Sequence, residues 1–509
     1  MQRAAHPDPT PTLRADRRRW AALGVLAVAV LLLAIDGTVL YLAVPALTRD
    51  LAPTADQILW IGDIYSLALA GLLVTMGTLA DRIGRKKLLL LGSVAFGLAS
   101  LLAAYAPDAE TLIAARLLLG IAGATIMPST LSLVRSLFPD PAERTRAIAV
   151  WSAAFAGGAA LGPLAGGFLL EHFWWGAVFL INVPVMVLLL VLGGALLPES
   201  RDPEPGRFDL LSAGLSMATV VPFVYAVKHV MKAGLDTVTV VCLLVAVVAG
   251  VLFVRRQRRL TAPLLDVELF RTPAFSGAVL ANTVAIFALT GLLFFFSQYL
   301  QLARGFSPLQ AGLAELPTTL AAIGAIAMVG LFLTWFGRGR AIAIGLLITA
   351  AGLVLIAAAE GAQNYVWLAL ALLPLGLGVG IAQTLTTDAV LAAVPPRKAG
   401  SASAISETAY ELGVVFGIAI LGSVVSFLYR NHLTLPASLT GPERAAVEDS
   451  LAGALSVLDP STPLAQHARE SFVSAMQTTS LIAAAITAAA AALAWITLSP
   501  RRRTHQATA

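Results

Sequence analysis

The chain has 509 residues, of which 58% are hydrophobic and only 12% charged, and its mean hydropathy is +0.83. A soluble protein of that length needs far more charge to cover its surface, so the composition excludes an ordinary globular domain and points to an integral membrane protein. The net charge of +5 comes from short Arg and Lys clusters between apolar runs, which are topology signals and not a phosphate-binding face, so no nucleic-acid partner is expected.

A helix needs about 20 residues to cross a hydrocarbon core of about 30 Å. After a tail over 1–19 that ends in Arg17, Arg18 and Arg19, the first apolar run is too long for a signal peptide and reads as a retained helix. Apolar runs of spanning length fall at 20–44, 57–80, 86–106, 111–134, 146–170, 175–197, 209–228, 238–254, 274–302, 310–334, 340–359, 364–390, 402–428 and 473–498. With the N-terminus in the cytoplasm, 26 Lys and Arg fall inside. Seven fall outside (Arg49, Lys228, Lys232, Arg304, Arg430, Arg444 and Arg469), and Arg116 lies within a span. That bias predicts fourteen spans with both termini cytoplasmic.

The expected divisions are a cytoplasmic tail over 1–19, a six-helix bundle over 20–198 and a linker with two extra spans over 199–272. A second six-helix bundle covers 273–500 with an outer loop at 429–472, and a tail covers 501–509. In that loop Thr440-Gly-Pro-Glu443 reads as a capping box, and Val447, Leu451 and Leu455 follow at helical spacing, predicting a short helix on the outer surface. The lone Cys242 sits in an apolar run, and no histidine has a second ligand at metal spacing, so neither disulfide, metal nor cofactor is expected.

An internal repeat runs through the chain. Gly158, Gly162 and Gly167 recur as Gly413, Gly417 and Gly422, Gly120 recurs as Gly376, and Gly77…Gly84-Arg85 recurs as Gly330…Gly337-Arg338. Matches in sequence order at one nearly constant offset indicate duplication of a six-span unit, with the seventh and eighth spans inserted between the copies.

In chain order, the chemistry-bearing residues begin with Asp36 in the middle of the first span, within Ile35-Asp36-Gly37-Thr38-Val39. The string Gly77-Thr-Leu-Ala-Asp81-Arg82-Ile-Gly84-Arg85-Lys86-Lys87 follows the second span. Its glycines permit a tight turn, and Asp81 beside Arg82 and Arg85 offers an ion-pair latch between helix ends. Arg116 lies inside the fourth span, where a charge costs at least about 2.5 kcal/mol and is not incidental. In the fifth span Gly158, Gly162, Pro163, Gly166 and Gly167 allow close helix approach, and the proline predicts a bend. Phe179-Leu-Ile-Asn182-Val183-Pro184 opens the sixth.

Further carboxylates are Asp63, Glu315, Asp388, Glu407 and Glu411. Several costly groups of one sign inside a bilayer mark a pathway. Glu407 and Glu411, four residues apart, share one helix face. Asp63 and Glu315, near outer span ends, suggest a two-sided acidic vestibule. Asp388, near an inner end, reads as a gate residue, and Phe295 and Tyr299, in an aromatic run, are candidates for substrate stacking.

Over nearly the whole chain these strings resemble the major facilitator superfamily, and within it the fourteen-span drug:proton antiporters. The resemblance implies that fold, two six-helix bundles plus two inserted helices, in the cytoplasmic membrane of a bacterium. It implies proton-coupled export of lipophilic, mainly cationic drugs and dyes by a protein functional as a monomer among membrane lipids. The resemblance links Arg116 to proton transfer; with it, the carboxylates read above place proton coupling at Asp36 and Glu411, and substrate binding is expected at Glu407, Asp63, Glu315, Phe295 and Tyr299. The resemblance also implies a second acidic residue before Glu407, where this chain has Ser406, and a carboxylate deeper in the tenth span, where it has Ala321 and Ala322. Both departures remove negative charge and weaken the case for dications. A symporter, or an exporter of a physiological lipid or siderophore, would use the same fold. An enzyme would need a nucleotide loop, a metal cluster or a nucleophile–base pair, and the sequence presents none.

Overall fold

The computed structural model describes residues 10–201, 209–260, 263–394, 399–436, 439 and 441–498. Among these are fourteen helices long and apolar enough to cross a membrane. In chain order they are α1 (Arg17–Leu51), α2 (Ala55–Ile83), α3 (Arg85–Ala104), α4 (Ala109–Leu137), α5 (Pro141–His172), α6 (Ala177–Leu196), α7 (Leu210–Met231) and α8 (Thr237–Gln257). The rest are α9 (Pro273–Ala303), α10 (Pro308–Phe336), α11 (Arg338–Ala359), α12 (Tyr365–Ala392), α13 (Ala402–His432) and α14 (Pro463–Leu498). Polar side chains start many of them by accepting orphan backbone N–H groups, among them Thr54, Asp108, Asp140, Asp236, Ser307 and Asn364. The end of the bundle bearing the α2–α3 turn is called inner below, and the opposite end outer.

The packing repeats. In the first half α1 packs on α5 and α6, α3 on α4 and α6, and α2 on α4. In the second half α9 packs on α13 and α14, α11 on α12 and α14, and α10 on α12. Each pair of the second set is a pair of the first displaced by eight helices. Between the halves α2 meets α13 and α5 meets α10, two contacts exchanged by the same displacement.

Glycines set these approaches. A methyl group on Gly120 would strike the α2 backbone at Tyr65, and one on Gly376 the α10 backbone at Thr318. Gly158 lies against α1 at Leu31, and Gly413 against α9 at Thr283. Gly167 touches the start of α10 at Pro308 and Leu309 in the opposite half, while Gly422 touches Leu59 of α2. Gly84 (φ 113°) and Gly337 (φ 72°) both hold positive φ at the turns that begin α3 and α11, a conformation costly for other residues. Two helices of the second half, α9 and α13, each carry one π-helical turn, at Tyr299–Ala303 and Gly417–Leu421.

The inserted pair α7 and α8 pack on each other, and α7 also lies against α2 and α13. Two sequence expectations are corrected here. Lys228, counted as an outside-loop residue, is within α7 and buried, because the helix continues to Met231. The outer loop holds two short helices and not one, Gly441–Asp449 and Leu451–Val457, because Ser450 turns extended (φ −160°, ψ 161°) and caps the second. Thr440, the head of the expected capping box, lies outside the described residues. Val447 and Leu451 are buried beside Tyr429 and Phe472, and Asp449 Oδ2 accepts the Ala55 N–H at 2.5 Å, joining the loop to the start of α2.

Candidate functional site

The first half carries a buried polar network at mid-span. Arg116 of α4 donates to Asp36 Oδ2 of α1 at 3.3 Å, and Asn182 Nδ2 donates to Asp36 Oδ1 at 2.6 Å. Asn182 also donates to Ser100 Oγ at 3.1 Å, so α1, α3, α4 and α6 meet in one cluster. Arg116 Nε donates to the Ile61 carbonyl at 3.2 Å, and its guanidinium lies 4.6 Å from the centre of the Tyr65 ring. Asp36 and Arg116 are at most 1% exposed, so each charge depends on the other. The sequence brought Asp36 and Arg116 forward. It displayed Asn182 in a motif without revealing that this amide holds the second oxygen of Asp36.

The halves touch at the outer end and separate toward the inner one. Tyr41 of α1 packs edge-on against Phe294 of α9 (5.6 Å between centroids), and Gln301 Nε2 donates to the Leu42 carbonyl at 3.0 Å. On the inner side a cavity of about 320 Å3 is walled by Leu73, Gly77 and Asp81 of α2, Met127 and Arg135 of α4, Trp151 of α5, and Ser403 and Glu407 of α13. Above it a smaller cavity of about 60 Å3 shares Met127 and is lined by Gly37, Tyr41, Tyr65, Ser66, Phe155, Tyr410 and Glu411. Glu407 and Glu411 thus line two successive cavities between the halves, one turn apart on α13. Ser66 of α2 hydrogen-bonds to Glu411 from the other half. Phe155 and Tyr410 meet edge-on at 6.2 Å, also across the halves. Neither glutamate has a cationic partner among the described residues, whereas Asp36 has Arg116.

Other expected site residues lie elsewhere. Asp63 is fully buried and faces the inserted helix, where Lys228 Nζ lies 2.7 Å from Oδ2 and 3.7 Å from the centre of the Trp60 ring. Glu315 is 3% exposed, its Oε1 without a hydrogen-bond partner among the described residues. The two form no open vestibule, because the outer end is packed shut and Asp63 already holds a lysine. Tyr299 is buried and donates to the Glu360 carbonyl at 2.6 Å, while Phe295 packs against Gly422 at the outer seam. The aromatic residues facing the cavities are instead Tyr41, Tyr65, Trp151, Phe155 and Tyr410, which come from four helices and form no run in the sequence.

At the inner rim Asp81 pairs with Arg85 at 2.8 Å across the turn held by Gly84. Arg85 also donates to Ser200 Oγ at 3.1 Å, and Lys86 N–H to Glu199 Oε1 at 3.2 Å, so the turn is fastened to the chain leaving α6. Arg82 points to solvent and takes no part in the ion pair. Asp388, read as a gate residue, pairs with Arg338 at 2.8 Å, both about half exposed. The α5 string works on two faces. Gly158, Gly162 and Gly166 seat α1, while the carbonyl of Pro163, inside the helix, and Gly167 abut α10 at Gly312 and Leu309.

Two helical halves related by an internal displacement, with buried charges at their interface, define a secondary transporter fold. The chain belongs to the Major Facilitator Superfamily, whose family model matches residues 26–418. It is 46% identical over 487 residues to the multidrug efflux pump LfrA of Mycolicibacterium smegmatis, covering 95% of this chain and 97% of that one. It is 36% identical over 450 residues to the methyl viologen resistance protein SmvA of Salmonella typhimurium, covering 88% and 90%. In fold it resembles the crystal structure of a bacterial homolog of the human lysosomal transporter Spinster in an inward-facing, unoccupied conformation. The TM-score is 0.65 at 17% identity, covering 97% of this chain and 100% of that one. The protein is therefore a multi-pass membrane protein and a transporter, not an enzyme.

Proposed function

We propose that this protein is a proton-coupled antiporter that exports lipophilic, mainly cationic drugs and dyes from a bacterial cytoplasm, with both termini on the cytoplasmic side and the monomer as the working unit. The observation that carries this reading is the pair of carboxyls without cationic partners among the described residues, Glu407 and Glu411, which line two successive cavities with aromatic walls between the halves. A hydrophobic cation gains there from a carboxylate and from ring faces, and cation–π contact is worth about 0.5–2 kcal/mol when desolvated. A proton neutralises the same carboxylates, so proton and drug compete for one site, which is the simplest antiport mechanism. Similarity to a multidrug efflux pump and to a protein named for methyl viologen resistance supports both the direction and the class of substrate.

In this reading, the cavity loads from the inner side, Glu407 meets the drug first, and Glu411 exchanges a proton. The Asp36–Arg116–Asn182 network, reached through Tyr65, carries a second exchangeable proton. Rocking of the halves about the α2–α13 and α5–α10 seams then turns the cavity outward, with Asp81 and Arg85 latching the inner rim. Exchange of two protons for one monovalent cation moves net charge, and one charge across 100 mV is worth about 2.3 kcal/mol. Dye efflux from proteoliposomes, with the pH gradient and the membrane potential imposed separately, tests this. Each force alone should accelerate efflux of a monovalent dye. Indifference to voltage would remove the two-proton exchange, and efflux without dye-dependent proton movement would remove antiport itself.

A further inference from the structure

Between the inserted hairpin and the second half lies a groove of about 720 Å3 that the transport path does not use. Its walls are Val220 and Phe223 of α7, Val247 and Val251 of α8, and Leu412 and Phe416 of α13. The groove exists because the hairpin is fastened on its other sides. Lys228 and Trp60 tie α7 to α2 near one end, and Arg256 with Asp209 (2.9 Å) and Gln257 with Ser212 (2.7 Å) close the hairpin at the other. The hairpin therefore packs on α13 through α7, and α8 is left facing an apolar gap.

At the inner mouth of this gap stand Arg255 and Arg258. Three residues apart, they share one helix face, and both are exposed without a carboxylate partner among the described residues. Arg256 between them is already paired with Asp209. Two guanidinium groups at the end of an apolar slot match a phosphate joined to an acyl chain, because the planar fork binds phosphate oxygens bidentately. Basic pockets between membrane helices take anionic head groups on the same grounds. The same charges repel a lipophilic cation, so the groove does not serve the proposed substrates.

We propose that this groove binds one anionic phospholipid, its acyl chain between α7, α8 and α13 and its phosphate on Arg255 and Arg258. The lipid fills the space that side chains leave and links the hairpin to the second half. This does not rest on the transport reading.

Native mass spectrometry of the detergent-solubilised full chain, titrated with phosphatidylglycerol or phosphatidylcholine, tests the site. The wild type should retain one phosphatidylglycerol under conditions that strip phosphatidylcholine. In the Arg255→Gln/Arg258→Gln double variant, affinity for phosphatidylglycerol should fall roughly 30-fold, equivalent to about 2 kcal/mol for two near-surface arginines. Val251→Trp, which fills the slot and leaves both arginines, should also lower occupancy, and an unchanged melting temperature shows that it folds. Equal retention of the two lipids overturns the proposal. So does wild-type occupancy in either variant, and loss in the arginine variant alone would mean a surface contact with the groove empty.

Discussion

In the first half Gly120 seats α4 on α2 at Tyr65, and in the second Gly376 seats α12 on α10 at Thr318. Gly158 and Gly413 likewise bring α5 onto α1 and α13 onto α9. The backbone contacts of the two halves are close copies, but their buried charges are not. Asp36 is locked to Arg116 and Asn182, with a ring and a carbonyl completing the cluster. Glu315, Glu360, Glu407 and Glu411 of the second half have no cation beside them among the described residues, and π-turns interrupt α9 and α13 nearby. Duplication preserved what helices need to approach one another, and left each copy free to acquire its own electrostatics. A carboxyl without a fixed cation can exchange a proton for a cationic drug directly, whereas any proton exchange at Asp36 has to work against Arg116.

The sharpest way to break this contrast is to neutralise one carboxyl in each half. Asp36→Asn should abolish drug-induced proton release in proteoliposomes and also destabilise the protein by about 3–5 kcal/mol, since Arg116 would be left buried without its partner. An Asp36→Asn protein of wild-type thermal stability would show that the network does not anchor the first half. Glu411→Gln should stop proton release just as completely while changing stability by no more than about 1 kcal/mol, the worth of its hydrogen bond with Ser66. Glu407→Gln should leave coupling in place and raise the dye concentration for half-maximal efflux.

The backbone half of the comparison predicts sameness. Gly120→Ala and Gly376→Ala each force a methyl group into a facing backbone, and both should cost about 1–3 kcal/mol in thermal unfolding in detergent. A large cost at one site and none at the other would mean that the copies have diverged in packing too. The smallest effect is expected at the inner rim of the second half. Arg338→Gln breaks a half-exposed pair worth at most about 1 kcal/mol and should leave efflux near wild type. Asp81→Asn, at the corresponding turn of the first half, should nearly abolish efflux with membrane insertion intact.

The spans were legible because a membrane helix announces itself over about 20 contiguous residues, and each of the fourteen expected runs lies largely within one of the observed helices. The duplication was legible because glycines at close approaches cannot be replaced without moving a backbone. Side-chain partners far apart in the sequence were not. Lys228 sits at the end of an apolar run, where hydropathy alone cannot tell a loop lysine from a buried one, and its partner is 165 positions earlier in the chain. Asn182 stood in a recognisable string, but an amide carries no charge to draw attention to it. The cavity-facing rings were missed because five of them are spread over four helices, with only Trp151 and Phe155 sharing one, while the visible cluster at 294–299 packs the outer seam.

The pairing of Lys228 with Asp63 limits how the fourteen-helix chain relates to a twelve-helix one. The lysine belongs to the inserted hairpin and the aspartate to the duplicated core, so neither segment is electrically complete alone. Excising the hairpin would leave a carboxylate on α2 facing hydrocarbon, and transplanting it into another core would bring an ammonium group with no acid to receive it. A clean cut at the linkers, with Asp63 unchanged, would break a buried pair at a cost of about 3–5 kcal/mol, so the extra helices and position 63 are coupled in this chain.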